Sequence, residues 1–218
     1  MNLRRLIKYA LFRDTTMKGE FSAMRKLIGT DWPRTFVDVG ANDGFYGSNS
    51  FPFAARGWRS LLIEPHPGAF EKLKKRHRER ENVTCLNIAC SDTPGELPLW
   101  FSSNDPKGTC ATLCEDERMK RRRLPGNEHV VVRVERLDAV LAREGLPFDF
   151  GILSIDAEGM DYQVLLGLNL SEWRPRLIVT EDYAATDKQK AEYLSAHDYQ
   201  HATQCGDNAV WAKAAVCG

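Results

Sequence analysis

The chain has 218 residues, 30 Lys+Arg against 30 Asp+Glu, and 43% hydrophobic residues. That length and mixture suit one large domain with its own core and exclude disorder or a collagen-like repeat as the main state. The formal charge of zero argues against a dedicated nucleic-acid binder, whose footprint is basic, and no run of about 18 apolar residues offers a transmembrane helix.

At the amino terminus Leu3, Leu6, Ile7, Ala10 and Leu11 share one helical face, with Arg4, Arg5 and Lys8 elsewhere on it. Lys8 breaks the apolar run and no small-residue cleavage site follows, so the stretch does not read as a signal peptide and a cytoplasmic location is expected. Its apolar face is expected to pack on the domain or on a second subunit of a homo-oligomer, with an anionic lipid surface as the lesser alternative. A second helix presents Met17, Phe21, Met24 and Ile28 on one face. Residues 1–30 therefore read as a helical extension of a domain over 31–218.

From Thr35 onward strands and helices alternate. Strands are predicted at Thr35–Val39, Ser60–Glu64, Val83–Ala89, Leu97–Phe101, His129–Glu135, Phe148–Ile155 and Arg176–Glu181. Helices are predicted at Ser48–Arg56, Pro67–Arg80, Leu137–Glu144, Asp161–Leu168 and Asp187–Ala196. Tyr199–Gln204, a Gly-Asp-Asn turn and Ala209–Lys213 form a closing hairpin signal. The six cysteines show no C-x-x-C pair and no His at zinc-finger spacing, which predicts reduced thiols and no structural metal. The alternation predicts an α/β fold with a parallel sheet covered by helices on both faces. Ligands of such sheets bind beyond the carboxyl ends of the strands, where the strand order reverses.

The first strand end reads Asp38-Val39-Gly40-Ala41-Asn42-Asp43-Gly44. It is neither a G-x-G-x-x-G nucleotide loop nor a P-loop. Gly40 and Gly44 allow a tight turn, and the segment carries two carboxylates without Lys or Arg. A pyrophosphate would be repelled there, whereas an ammonium or sulfonium would be attracted. S-adenosylmethionine has both and no phosphate. Glu64 ends the second strand, where a carboxylate can accept from two ribose hydroxyls. Ser91-Asp92, after the third strand, could reach an adenine edge or could be a local Asx turn. The expected cofactor-binding set is Asp38, Gly40, Asn42, Asp43, Gly44, Glu64, Ser91 and Asp92.

Four segments resemble the FkbM family of S-adenosylmethionine-dependent methyltransferases. They are FVDVGANDGFYGSNS (Phe36–Ser50), GWRSLLIEPHP (Gly57–Pro67), RLDAVL (Arg136–Leu141) and LSIDAEGMDYQVLLGLN (Leu153–Asn169). The resemblance covers roughly Thr35 to Lys213. It implies a Rossmann-like class I methyltransferase fold: a mostly parallel seven-stranded sheet with a C-terminal antiparallel hairpin. It also implies O-methylation of a sugar, glycan or secondary-metabolite hydroxyl. The family often has His and then Glu after its E-G pair, where this chain has Met160 and Asp161, so any role of that His is not carried over.

Methyl transfer to a hydroxyl needs alignment and removal of a proton. Asp156 and Glu158, after the fourth strand, are the candidate catalytic residues, each as base or as helix cap and cofactor anchor. Glu181 and Asp182 after the fifth strand are the reserve. Together with Asp161 these acids could instead hold a divalent cation, but the spacing is unspecific and no metal is assigned. His66 and His129 read better as structural. Neither the N/D-P-P-Y/F tetrapeptide of amino-group methylation nor a Pro-Cys nucleophile is present. Residues 102–128 are long and polar, with Lys107, Arg118 and Lys120–Arg123. They suggest a lid or substrate loop and an anionic acceptor. The alternative to an enzyme is a cofactor-fold protein that binds without catalysing transfer.

Overall fold

A computed structural model of the chain describes residues 14–102, 111–114, 128–181 and 187–214. The expected Leu3–Leu11 helix, Asp182 and the basic cluster at Lys107, Arg118 and Lys120–Arg123 lie outside the described residues. The described elements are α1 (Glu20–Leu27), β1 (Thr35–Val39), α2 (Phe51–Ala54), β2 (Arg59–Ile63), α3 (Pro67–His77), β3 (Val83–Leu86), β4 (Ala89–Cys90), β5 (Gly95–Phe101), β6 (Glu128–Glu135), α4 (Leu137–Arg143), β7 (Asp149–Ile155), α5 (Asp161–Leu166), β8 (Arg174–Glu181), α6 (Asp187–Ala196), β9 (Tyr199–Cys205) and β10 (Asn208–Lys213).

The main sheet has seven strands in the order β3-β2-β1-β7-β8-β10-β9. β3, β2, β1, β7 and β8 run parallel, and β10 joins antiparallel between β8 and β9. The order reverses between β1 and β7, which places the switch point at Val39-Gly40 and Ile155-Asp156. Because side chains alternate along a strand, the sheet buries two different faces. Val37, Val39, Leu61, Ile63, Leu153, Ile155 and Ile178 meet Leu137, Val140 and Leu141 of α4, Val164 and Leu165 of α5 and Leu194 of α6. On the opposite face Phe36, Ile152, Leu177, Val179 and Val210 meet Phe21 and Met24 of α1 and Phe53 of α2.

The register carries this second face to a polar end. Asp38 pairs with Ser154 across β1 and β7, two residues beyond Phe36 and Ile152 respectively. Apolar packing therefore stops one pleat short of the strand ends, where the site begins.

Two expectations change. The segment Val83–Ala89 is two strands rather than one. β3 ends at Leu86, and β4 belongs to a separate three-stranded sheet ordered β4-β6-β5, with β4 parallel and β5 antiparallel to β6. An apolar run cannot reveal such a change of partner. The helix expected at Ser48–Arg56 shrinks to Phe51–Ala54 because Ser48 and Ser50 spend their hydroxyls on local bonds. Ser48 Oγ accepts from Phe51 N at 3.1 Å and Ser50 Oγ donates to Asp38 Oδ2 at 2.5 Å.

Helix α1 is part of the core. Phe21 is 2% and Met24 0% exposed, and Phe21 packs edge-on against Phe53 at 5.3 Å. The apolar face of α1 is spent on the chain's own sheet. Met17 falls outside this helix and is exposed. The four described cysteines, Cys85, Cys90, Cys114 and Cys205, are free thiols.

If α1 is integral to the core, Met24→Ala should lower the stability of the whole domain by about 2–5 kcal/mol, the usual cost of a buried large-to-small change. Denaturant unfolding should remain a single transition with a lower midpoint. An unchanged midpoint would mean that α1 is an independent appendage.

Candidate active site

A cavity of about 410 Å³ opens beyond the carboxyl ends of β1, β2, β7 and β8. Such a volume is in the range of small-molecule sites. Gly40 fixes its geometry. A Cβ at that residue would lie 1.8 Å from the Asp156 carbonyl oxygen, and φ is +86°, so only glycine fits. Asp156 N donates to Val39 O at 2.9 Å, and Gly40 N and Ala41 N both donate to Ile63 O. The ends of β1, β2 and β7 are thereby drawn together.

Asp38 is buried and bonded to Ser50 Oγ. Burial pushes its pKa up to about 6, against the lowering effect of Ser50 and Ser154. Glu64 follows β2 and is 4% exposed. Its Oε2 accepts from Asn42 N at 2.8 Å and its Oε1 from His66 N at 2.7 Å. Burial raises it to about 7, with smaller contributions from the charges of Asp38 and Glu158. Each carboxylate oxygen keeps a further acceptor position, since an ionised carboxylate offers about four.

Asp156 opens onto the cleft from its floor. Withdrawal from bulk water first, and then the charges of Glu181, Glu158 and Asp161, hold its pKa well above the ordinary carboxylate range. Glu158 and Asn42 adopt left-handed backbone, with φ of +52° and +49°. Both line the cavity, an arrangement that costs energy and tends to collect at functional sites. Glu181 also lines the cavity, and its Oε2 is buried without a partner.

Four expected cofactor residues are placed elsewhere. Asp43 Oδ1 accepts from Phe45 N and Tyr46 N, both at 2.9 Å, and its Oδ2 pairs with Arg76 at 3.2 Å. Arg76, brought in by α3, pairs with one of the two carboxylates that the loop carries in sequence. Gly44 makes room for α3, because a Cβ there would lie 2.4 Å from Leu73 and 2.8 Å from His77. Ser91 Oγ bonds Asp92, Ser91 N donates to Glu135 O, and Arg136 donates to Asp92 O. Neither Ser91 nor Asp92 is in the described lining of the cavity, and their bonds are those of a local turn. The wall at that end is apolar: Ile88, Ala89, Cys90, Leu99, Ala111 and Leu113.

Asp161 does not project into the cavity. It is buried, accepts from Ala157 N at 2.8 Å and Glu181 N at 2.9 Å, and is raised to about 7 chiefly by burial. His66 Nδ1 accepts from Ala69 N at 3.1 Å and caps α3, and His129 stacks on Trp100. Among the described residues no group of His, Cys, Asp and Glu has a metal-binding arrangement. Part of the expected lid is tied down, since Thr112 pairs with Trp100 and donates to Glu158 O at 2.7 Å.

Other groups at the site were not foreseen. Asn49 Nδ2 donates to Ser154 Oγ at 3.2 Å, while Asn49 Oδ1 is buried without a partner. The Ser-Asn-Ser triplet ahead of α2 was a signal for Asn49; nothing local marked Ser154. Met17 and Lys18 border the rim together with Tyr46, Asp207 and Asn208. Buried Glu20 holds this rim, accepting from Lys18 N at 2.8 Å and from Asn208 Nδ2 at 2.9 Å. Among the described residues, seven carboxylates line the cavity (Glu20, Asp38, Glu64, Asp156, Glu158, Glu181 and Asp207) against one cation, Lys18.

A carboxylate whose folded pKa is raised holds its proton more tightly folded than unfolded. Its contribution to stability is full below the unfolded pKa and is lost as pH rises through the folded one. For Asp38, Glu64 and Asp161 that window runs from about 4 to about 7. The unliganded chain should lose stability across it, and Glu64→Gln should flatten the slope. Thermal melts over pH test this, and an identical slope in the variant would contradict the Glu64 assignment.

Comparison with known proteins agrees with this geometry. The Methyltransferase FkbM domain model matches residues 38–207. Methyltransferase sdnD of Sordaria araneosa is 28% identical over 176 residues, which is 67% of this chain and 65% of that protein. Less than two thirds of that relative's length is thus represented here. The structure of methyltransferase FkbM from Methylobacillus flagellatus KT superposes with a TM-score of 0.54 at 14% identity, over 96% of this chain and 59% of the other. The human methyltransferase 10 domain containing protein gives 0.51 at 12% identity, over 95% and 91%. At those identities the two structures speak for the fold alone, and with the seven-stranded sheet and its C-terminal hairpin they establish a class I methyltransferase architecture. The domain match spans well over half the chain, across the loop and the strand ends that build the cavity: the chain belongs to the FkbM methyltransferase family.

Proposed function

We propose that the chain is an S-adenosylmethionine-dependent O-methyltransferase acting on a hydroxyl of a sugar, glycan or secondary metabolite. The observation that carries this reading is the acid-lined cavity at the β1–β7 switch point, with Glu64 at the end of β2. The donor set suits the cofactor. Asn49 Oδ1, a buried acceptor without a partner, and the neighbouring Asp38 suit an ammonium. The free acceptor positions of Glu64 suit two ribose hydroxyls. Ile88, Leu99, Ala111 and Leu113 suit the flat apolar faces of an adenine. When bound, S-adenosylmethionine supplies an electrophilic methyl group on a sulfonium.

The chain's own residues supply the rest. Asp156 and Glu158 are the candidate bases, with Glu181 facing them; a carboxylate with a raised pKa can take a proton near neutrality. On the acceptor side, Tyr46 and Met17 are 42% and 45% exposed at the rim. An aromatic face and a thioether suit the C–H face of a sugar or an apolar metabolite. Lys18 at the rim is placed to pair with an acidic group of an acceptor that carries one. No helix among the described residues is long and apolar enough to cross a membrane.

Glu64→Ala should weaken S-adenosylmethionine binding roughly 10- to 150-fold, the loss of charge-assisted hydrogen bonds worth about 1.5–3 kcal/mol. Calorimetry reads this directly, and equal affinity would remove Glu64 from the site. With labelled cofactor and a panel of sugars, nucleotide sugars and glycans, Asp156→Asn and Glu158→Gln should each lower turnover by at least about tenfold, with cofactor affinity changed much less for the base. Wild-type turnover in both variants would move the base to Glu181 or leave catalysis to alignment alone. Tight NAD binding with no response to S-adenosylmethionine would overturn the cofactor assignment.

A further inference from the structure

Lys190 on α6 is 1% exposed, a depth at which lysines are almost never found without a partner. Its ammonium donates to the Glu181 carbonyl at the end of β8. Its charge also reaches Asp161, where it works against the effect of burial. Asp161 in turn binds Ala157 N and Glu181 N, and Ala157 directly follows Asp156. Lys190, Asp161 and two backbone N–H groups thus lace together the ends of β7 and β8 behind the cavity. On the cavity side the same two strand ends present Asp156 and Glu181. The charges that act on Asp156 are those of Glu181 from β8, Glu158 from its own loop and, from behind the cavity, Asp161 of α5, with Lys190 entering from α6.

We propose that Lys190 is the positioning residue of the Asp156–Glu181 acid pair: through Asp161 and the Glu181 carbonyl it holds the ends of β7 and β8 together and offsets the negative charge gathered there. Four carboxylates gathered at two strand ends, three on the cavity side and Asp161 behind it, repel one another, and the usual response is to take up protons. A buried counter-charge keeps more of them ionised at neutral pH and so keeps an acceptor lone pair on the cleft side. The catalytic consequence rests on the proposed function, in which one of these acids is the base. The electrostatic arrangement itself does not.

Carboxyl-carbon NMR of the full chain without ligand, labelled at Asp and Glu and titrated over pH, tests the arrangement. Lys190→Met keeps length and bulk and removes the charge, so Asp161 and Asp156 should titrate at higher pH. Asp161→Asn removes a neighbouring negative charge, so Asp156 should titrate at lower pH. Opposite directions are the signature of charge coupling. Mere loosening of the loop would admit water in both variants and lower the titration in both. Shifts in the same direction, or none, overturn the proposal. If Lys190→Met does not fold, the double variant Lys190→Met/Asp161→Asn decides. Recovery of folding in the double variant supports Lys190 as the counter-charge of Asp161. Failure of the double where Asp161→Asn alone folds overturns it. None of these readings uses S-adenosylmethionine or an acceptor, so a chain unable to bind that cofactor would remove the proposed function and leave this assignment standing.

Discussion

The site depends on one close approach. Gly40 sits so near the Asp156 carbonyl that a single added carbon would lie 1.8 Å from it. This contact lets β1 and β7 run side by side to their ends, and it brings Asp38 and Ser154 into register on one pleat. Gly40 and Ala41 then tie to Ile63, which sets Glu64 beside the first loop. Asp156, Glu64 and Asp38 come from distant parts of the sequence and converge because one glycine has no side chain.

That convergence is electrostatically expensive. Several carboxylates share a cleft partly withdrawn from water: burial raises Asp38, Glu64 and Asp161, and at Asp156, which opens onto the cleft, the charges of Glu181, Glu158 and Asp161 add to the loss of water. The chain offsets the cost with dipoles more than with full charges. Ser50 and Ser154 serve Asp38, the backbone N–H groups of Asn42 and His66 serve Glu64, and those of Ala157 and Glu181 serve Asp161. Oriented N–H and O–H groups stabilise a carboxylate without filling the site with cations. A cleft built in this way stays negative, which is what a ligand bearing an ammonium or a sulfonium requires.

The N-terminal segment and the hairpin tip add a wall that the core sheet does not supply. Glu20 joins them by accepting from Lys18 N and Asn208 Nδ2, and the turn at Gly206 packs on the Lys18 stem. Residues 14–30 precede the matched family region at 38–207, yet they contribute both to the core and to the rim. An element that reads in sequence as an appendage is therefore positioned to shape what enters the cleft.

By itself the sequence determined the order of strands and helices, the acidic glycine loop and the strand-end Glu64, because periodicity, glycine and charge are local properties. It also marked Asp156 and Glu158 as strand-end acids. Only the tertiary structure decided which acids face the cavity. Asp43 turns to Arg76 on α3, Asp161 turns inward to two backbone N–H groups, and Ser91 and Asp92 close a local turn. It also decided that the run Val83–Ala89 divides between two sheets, and that Asn49 and Ser154 join the polar network at Asp38. The physical reason is common to all of these. A side chain's identity is written in its own position, but its burial and its hydrogen-bond partner are set by residues far along the chain, and those meet only when the strands have found their register.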